Sequence, residues 1–127
     1  MTENELSRII FDSGLKVHKA LGPGLLESAY EVCLAHELTQ LNIQVERQVA
    51  LPVKYNNIEL DAGYRIDLLI ENKVIIEIKA IKDFEDIHLA QLLTYLKLSG
   101  CKLGLLINFN KLLFKDGVRR VINGTLQ

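Results

Sequence analysis

The sequence has little of what would place it outside the ordinary globular class. It holds only two prolines and no repeat, linker or low-complexity tract, while 49% of its residues are hydrophobic and 24% are charged. That balance excludes a disordered or fibrous chain. Its longest apolar runs, such as Val74 to Ile76 and Leu103 to Ile107, fall far below the ~20 residues of a membrane helix. The start, MTENELSRII, lacks the basic region and apolar run of a signal peptide, so a cytoplasmic location and no membrane partner are expected. Two cysteines are too few for a zinc site. Cys33 lies in a helical pattern and Cys101 just before an apolar strand pattern, and both read as buried free thiols rather than a disulfide. The three histidines, His18, His36 and His88, are too scattered for a zinc set. An excess of one charge is also missing. A net charge of −1 gives no footprint for a strong non-specific grip on nucleic acid, although the stretch from Lys111 to Arg120 carries local positive charge. A chain of 127 residues is long enough for one compact core and too short for two ordinary domains, so 1–127 is expected to be a single domain.

What is present is a clear alternation of patterns. Leu6, Ile9, Ile10, Val17, Ala20 and Leu21 recur at helical spacing over 4–21, with Asn4 as N-cap, and Gly22-Pro23-Gly24 ends that helix. A second helix fits 25–41, with Tyr30, Leu34 and Leu38 in one row. From Ile43 to Leu51 the apolar residues alternate with polar ones, as in a half-buried strand. Val53 to Tyr55, a tight turn at Asn56-Asn57, a long strand from Ile58 to Ile70, a turn at Glu71 to Lys73 and a strand from Val74 to Ala80 follow. A third helix, opened by Asp83 or Asp86, runs to Ser99. The apolar run LGLLINF then reads as a strand buried on both faces, reached through a parallel crossover. Leu112 to Phe114, a turn at Asp116-Gly117 and Val118 to Ile122 are expected to form a terminal β-hairpin.

The chemistry concentrates in residues 63–80. Glu77 and Lys79 are two apart on one strand, so both leave the same face, while Ile76 and Ile78 leave the other. On its own, Glu-Ile-Lys is a common alternation in strands that face water. Asp67 is different, because it sits among Ile66, Leu68, Leu69 and Ile70, where a carboxylate is costly to bury unless paired or bound to a metal. Register decides whether these residues meet. A three-residue loop at Glu71 to Lys73 pairs Ile70 with Val74 and puts Asp67 opposite Glu77, with Lys79 opposite Arg65. A two-residue loop would put the carboxylates on opposite faces. Two such carboxylates, with the Ile78 carbonyl as a further oxygen, suit Mg²⁺ or Mn²⁺. Such an ion would polarise a phosphoryl oxygen and lower the pKa of a bound water, with Lys79 stabilising developing charge.

Gly24-Leu-Leu-Glu27-Ser-Ala-Tyr30 matches the signature of the GxxExxY protein family, and VHKALGPGLLESAYE, LDAGYRIDLLI, VIIEIKA, HLAQLLTYLKLSG and LGLLINFN look like further family blocks. By these motifs the chain resembles that family, a branch of the PD-(D/E)xK nuclease-like superfamily. The resemblance implies an α/β fold with a restriction-endonuclease-like αβββαβ core. Its mixed central sheet would be flanked by helices, with an extra N-terminal helix and the C-terminal β-hairpin added. It also implies Asp67, Glu77 and Lys79 as signature residues, Glu27 as an acidic residue on the preceding helix that binds metal or water, and Gln91 as a polar residue placed near the site by the later helix.

Read from the residues alone, Glu27 is better explained as a carboxylate compensating a helix N-terminus than as a ligand, Tyr95 reads first as a core ring, and Gln91 is open to a role as a cap on sheet carbonyls. Arg65 is open between a phosphate contact and a structural ion pair, and His88 is a candidate phosphate contact. The expected function is a Mg²⁺-dependent nuclease that hydrolyses phosphodiester bonds, DNA being the expected substrate. Asp67, Glu77, Glu27 and the Ile78 carbonyl would serve metal, and Arg65, His88 and Tyr95 the substrate. The alternative is a nuclease-fold module that binds nucleic acid or a protein partner without cutting. A homodimer would add surface to hold a duplex, although no residue marks an interface.

Overall fold

A computed structural model describes residues 1–126. The chain opens with helix α1 (Glu3–Leu21) and helix α2 (Glu27–Gln40). Thr2, not Asn4, caps α1: its hydroxyl accepts from the Glu5 N–H while the Glu5 carboxylate accepts from the Thr2 N–H, a reciprocal capping box. Strand β1 (Val45–Ala50) follows, then β2 (Val53–Tyr55) and β3 (Ile58–Leu60), β4 (Arg65–Ile70) and β5 (Val74–Lys79). Helix α3 (Asp86–Ser99), β6 (Leu103–Asn108), a 3₁₀ turn at Phe114–Gly117 and β7 (Val118–Ile122) complete it.

The long strand expected from Ile58 to Ile70 is broken. Gly63, at φ 82°, interrupts it between Leu60 and Arg65, and β2–β3 is a separate two-stranded ribbon turned by Asn56-Asn57, with Asn56 at φ 54°. The expected pairing of Leu112–Phe114 with Val118–Ile122 does not form either. Phe114 instead enters the core beside Phe109 and Phe11, and β7 pairs antiparallel with β6. Burial of that ring outweighs a short local strand pairing.

The main sheet has the order β1-β4-β5-β6-β7. Its β1-β4-β5 half is an antiparallel meander, and α3 carries the chain over to β6, which lies parallel to β5. Every residue of β6 is buried, as its unbroken apolar run requires. Helices α1 and α2 cover one face through Leu6, Ile10, Tyr30, Leu34 and Leu38, against Leu68, Ile70, Val74, Ile76 and Ile78. Helix α3 covers the other through Leu92, Tyr95 and Leu96, against Ile66, Ile75 and Leu106. Gly104 permits the close approach of α3, because a Cβ there would lie 2.8 Å from the Leu92 side chain. This is a mixed α/β architecture with a restriction-endonuclease-like fold. Among the described residues no helix is long and apolar enough to cross a membrane. Cys101 is buried, Cys33 only partly, and both are free.

Candidate metal-nuclease site

The turn after β4 has the odd length that the site requires. Ile70 pairs with Val74, Leu69 with Ile75 and Leu68 with Ile76. Glu71 and Asn72 take left-handed conformations, at φ 51° and 54°, and the Lys73 N–H closes the turn on the Ile70 carbonyl at 2.9 Å. Continued by one residue, this register sets Asp67 against Glu77.

Backbone pairing of β4 with β5 stops there, and the two carboxylates replace it. The Asp67 N–H donates to Glu77 Oε2 at 2.8 Å, and the Ile78 N–H donates to Asp67 Oδ2 at 2.8 Å. Each carboxylate thus satisfies an amide of the opposite strand, which ties the pair together without direct contact between like charges. The sheet also changes face at this point. Ile66 and Leu68, two apart on β4, pack into opposite cores, and so do Val45 and Val49 on β1. The residues between them, Asp67 and Gln48, sit at the twist.

Gln48 is where β1 meets Asp67. Arg47 pairs with Leu68 and Val49 with Ile66, so Gln48 lies opposite Asp67. Its φ of 53° is left-handed in mid-strand, a conformation that costs a non-glycine residue on the order of 1 kcal/mol. Its amide nitrogen donates to Glu31 Oε1 at 2.7 Å and lies 3.3 Å from Asp67 Oδ1. Glu31, buried on α2, also takes a two-pronged contact from Arg47 at 2.9 and 3.1 Å.

These surroundings set the protonation of the pair. Burial, then the Asp67 charge, pushes the Glu77 carboxyl from 4.5 up to about 8, against the Asp67 N–H bond and the Lys79 charge, while Glu31 adds a little more. Asp67 is raised too, by burial first, while the Ile78 N–H bond, Gln48 and Lys79 oppose the rise and Glu31 adds to it. Lys79 forms no ion pair among the described residues and acts on both carboxylates through space.

The remaining expected residues divide into near and far. Glu27 Oε2 accepts from the Ala80 N–H at 3.0 Å, one residue past Lys79. Its motif neighbours hold the same end of the sheet. The Gly24 N–H, at φ 105°, donates to Asn110 Oδ1. The Tyr30 ring stacks on Phe109 at 4.4 Å, and its hydroxyl donates to the Gly22 carbonyl and accepts from the Leu25 N–H. Fully buried Asn108 fixes both backbone groups of Ile81, and the Phe109 N–H donates to the Lys79 carbonyl. The Gly-x-x-Glu-x-x-Tyr signature is therefore a clasp on the chain leaving the two parallel strands, Glu27 on that leaving β5 and Gly24 and Tyr30 on that leaving β6.

Gln91 donates to the Tyr95 hydroxyl at 2.9 Å. Tyr95 is a core ring whose hydroxyl still senses the site: burial raises its pKa first, Gln91 opposes this, and the Glu77, Tyr64 and Asp67 charges add to it. Arg65 lies at the start of β4 and makes its contacts on the β1 side and in the preceding loop. It pairs with Ala50 across the sheet, and its guanidinium contacts Asp61 at 3.4 Å and the Tyr64 carbonyl at 2.9 Å. His88 Nδ1 accepts from the Glu85 N–H at the start of α3 and its ring packs on Phe84, so it is occupied as a cap.

Arg47, Gln48 and Glu31 join the site although no motif in the sequence singles them out. One signal was available. Arg47 holds an apolar-phase position in β1, between Val45 and Val49, and a cation placed there calls for a buried partner.

An all-oxygen pair set into a mixed sheet between helical layers defines a nuclease-type fold of the restriction-endonuclease kind. The model of the PD-(D/E)XK nuclease superfamily matches residues 4–121, and the chain belongs to that superfamily. No curated protein matches it. Among solved structures it is similar to that of SSO0001, with 18% identity over 96% of this chain and 79% of the other, at a TM-score of 0.49.

Among the described residues no three His, Cys, Asp or Glu side chains converge on one point. Buried Glu77 and half-buried Asp67, held against each other by cross-strand amide bonds, fit a hard cation that keeps most of its waters.

Proposed function

We propose that this protein is a single-domain, cytoplasmic, Mg²⁺- or Mn²⁺-dependent nuclease that hydrolyses phosphodiester bonds in nucleic acid, with DNA the favoured substrate. The observation that carries this reading is the reciprocal Asp67–Glu77 clasp, with Lys79 on the same face two residues beyond Glu77. In this reading Asp67, Glu77 and the Ile78 carbonyl hold the cation, and Glu27 adds negative charge beyond Lys79, directly or through water. When bound, the cation supplies a Lewis acid beside the scissile phosphate.

The chain's own residues do the rest. The cross-strand amide bonds fix Asp67 and Glu77 before substrate arrives, so little reorganisation is left for the reaction. Lys79, bonded to neither carboxylate, can turn its ammonium to the phosphate and stabilise the charge that develops there. Gln91 orients the Tyr95 hydroxyl toward the same space. Arg65, exposed at the rim, has protons to offer a phosphate once it releases Asp61.

Calorimetric titration with Mn²⁺ tests the site, with Asp67→Ala and Glu77→Ala beside the wild type. Heat from the wild type alone supports the reading, whereas equal heats in all three sink it. Cleavage of DNA and RNA of several forms, with Lys79→Ala as control, then separates an enzyme from a module that binds without cutting.

A further inference from the structure

The strained backbone at Gln48 lacks a packing explanation. Its side chain is exposed, so burial does not offset the left-handed conformation at φ 53°. A strand residue in that conformation persists only where its surroundings over-determine it, and here those surroundings are two carboxylates. A glutamine amide nitrogen carries two N–H groups in one plane. In Gln48 that nitrogen lies 2.7 Å from Glu31 Oε1 and 3.3 Å from Asp67 Oδ1. A neutral double donor thus stands between two like charges, one from α2 and one from β4.

We propose that Gln48 is the positioning residue of Asp67: its left-handed backbone aims one amide at both Glu31 and Asp67, which fixes the Asp67 carboxylate for the cation. The proposal rests on the metal-site reading above and deepens it. Asp67 is then held from two sides, Oδ2 by the Ile78 N–H and Oδ1 by Gln48. Glu31 is held in turn by Arg47, the adjacent residue of β1. Because neighbouring strand residues point to opposite faces, Arg47 and Gln48 can both reach Glu31 only if the backbone turns between them. The left-handed residue makes that turn. Glu31 is thereby an anchor for the amide, not a ligand.

Two variants separate this role from a structural one. Gln48→Gly removes the amide and relieves the strain. Gln48→Met keeps the length and the strain but removes the donors. Both are expected to bind Mn²⁺ at least tenfold more weakly in calorimetry, the usual effect of losing a partner that orients a ligand. The urea midpoint of Gln48→Gly in EDTA is expected to equal or exceed that of the wild type.

A second readout needs no metal. Hydrogen exchange of the Ile78 amide, whose acceptor is Asp67, is expected to quicken in both variants relative to the amides of the β5–β6 ladder. Wild-type Mn²⁺ affinity in both variants together with an unchanged Ile78 amide overturns the proposal. So does a Gln48→Gly protein that unfolds well below the wild type while the Ile78 amide stays protected. If the wild type itself takes up no Mn²⁺, the metal-site reading fails, and the Ile78 amide still decides the role of Gln48.

Discussion

Replacing Glu77 by glutamine should stabilise the metal-free protein, and should do so only at neutral and alkaline pH. In the unfolded chain this carboxyl ionises near 4.5, whereas in the fold it keeps its proton to about 8. Between those values the native state binds more protons than the unfolded one, so stability falls as pH rises through the window and levels off above it. The full difference corresponds to about 5 kcal/mol, at ~1.36 kcal/mol for each tenfold change in proton affinity. Glu77→Gln has no charge to bury and keeps an oxygen to accept the Asp67 N–H. It also removes the acidic group that the Asp67 charge disfavours when ionised. The variant should therefore match the wild type at pH 4 and exceed it by about 2–5 kcal/mol at pH 8.5, a shift of roughly 1 M or more in urea midpoint. The assay is urea unfolding in EDTA from pH 4 to 9. Saturating Mn²⁺ should narrow or invert the order, since a ligand at a hundred times its Kd adds about 2.7 kcal/mol to the form that binds it. A variant less stable than the wild type at pH 8.5, or a difference that does not change with pH, would refute the reasoning.

Arg47→Ala leaves the buried Glu31 carboxylate with Gln48 as its one remaining side-chain donor among the described residues. A loss of about 1–3 kcal/mol is expected in chemical denaturation, below the value for a fully buried pair because Arg47 is half exposed. Tyr30→Phe keeps the stack on Phe109 but removes the hydroxyl that ties the Gly22 carbonyl to the Leu25 N–H, which should lower stability by about 1–2 kcal/mol and raise protease cutting within residues 22–26. Gly104→Ala presses a methyl group into Leu92 of α3 and should cost about 1–3 kcal/mol in thermal unfolding. By contrast, Gly124→Ala has no neighbour to meet but sits at φ 94°, so any loss there reports backbone strain alone.

The site was legible in the sequence because a hairpin converts spacing into position. Once Ile70 pairs with Val74, Asp67 faces Glu77 with no further information, and the apolar neighbours of Asp67 already show that its charge needs a reason. The sheet order was legible in the same way, from an apolar run too short for a helix and reached through one. What stayed hidden depends on contacts that spacing does not encode. Leu112 to Phe114 has the alternation of a strand, yet the ring of Phe114 finds more to bury against Phe11 and Phe109 than an edge pairing offers. Asp61 to Tyr64 breaks an otherwise continuous strand because Gly63 takes a conformation that a sheet does not hold.

Gln48 is the sharpest case, because a period-two reading assigns it to the polar face and stops there. Its importance comes from a backbone turn that no side-chain pattern announces. That turn exists because Glu31, four residues beyond the signature glutamate, points its carboxylate at β1 rather than at water. The signature itself shows the same limit from the other side. It reads as a catalytic motif, yet its glutamate binds the segment that leaves β5 while its glycine and tyrosine bind the segment that leaves the adjacent β6. A carboxylate that fixes the chain one residue past Lys79 governs where that ammonium stands, and would do so whether or not it ever touches the cation.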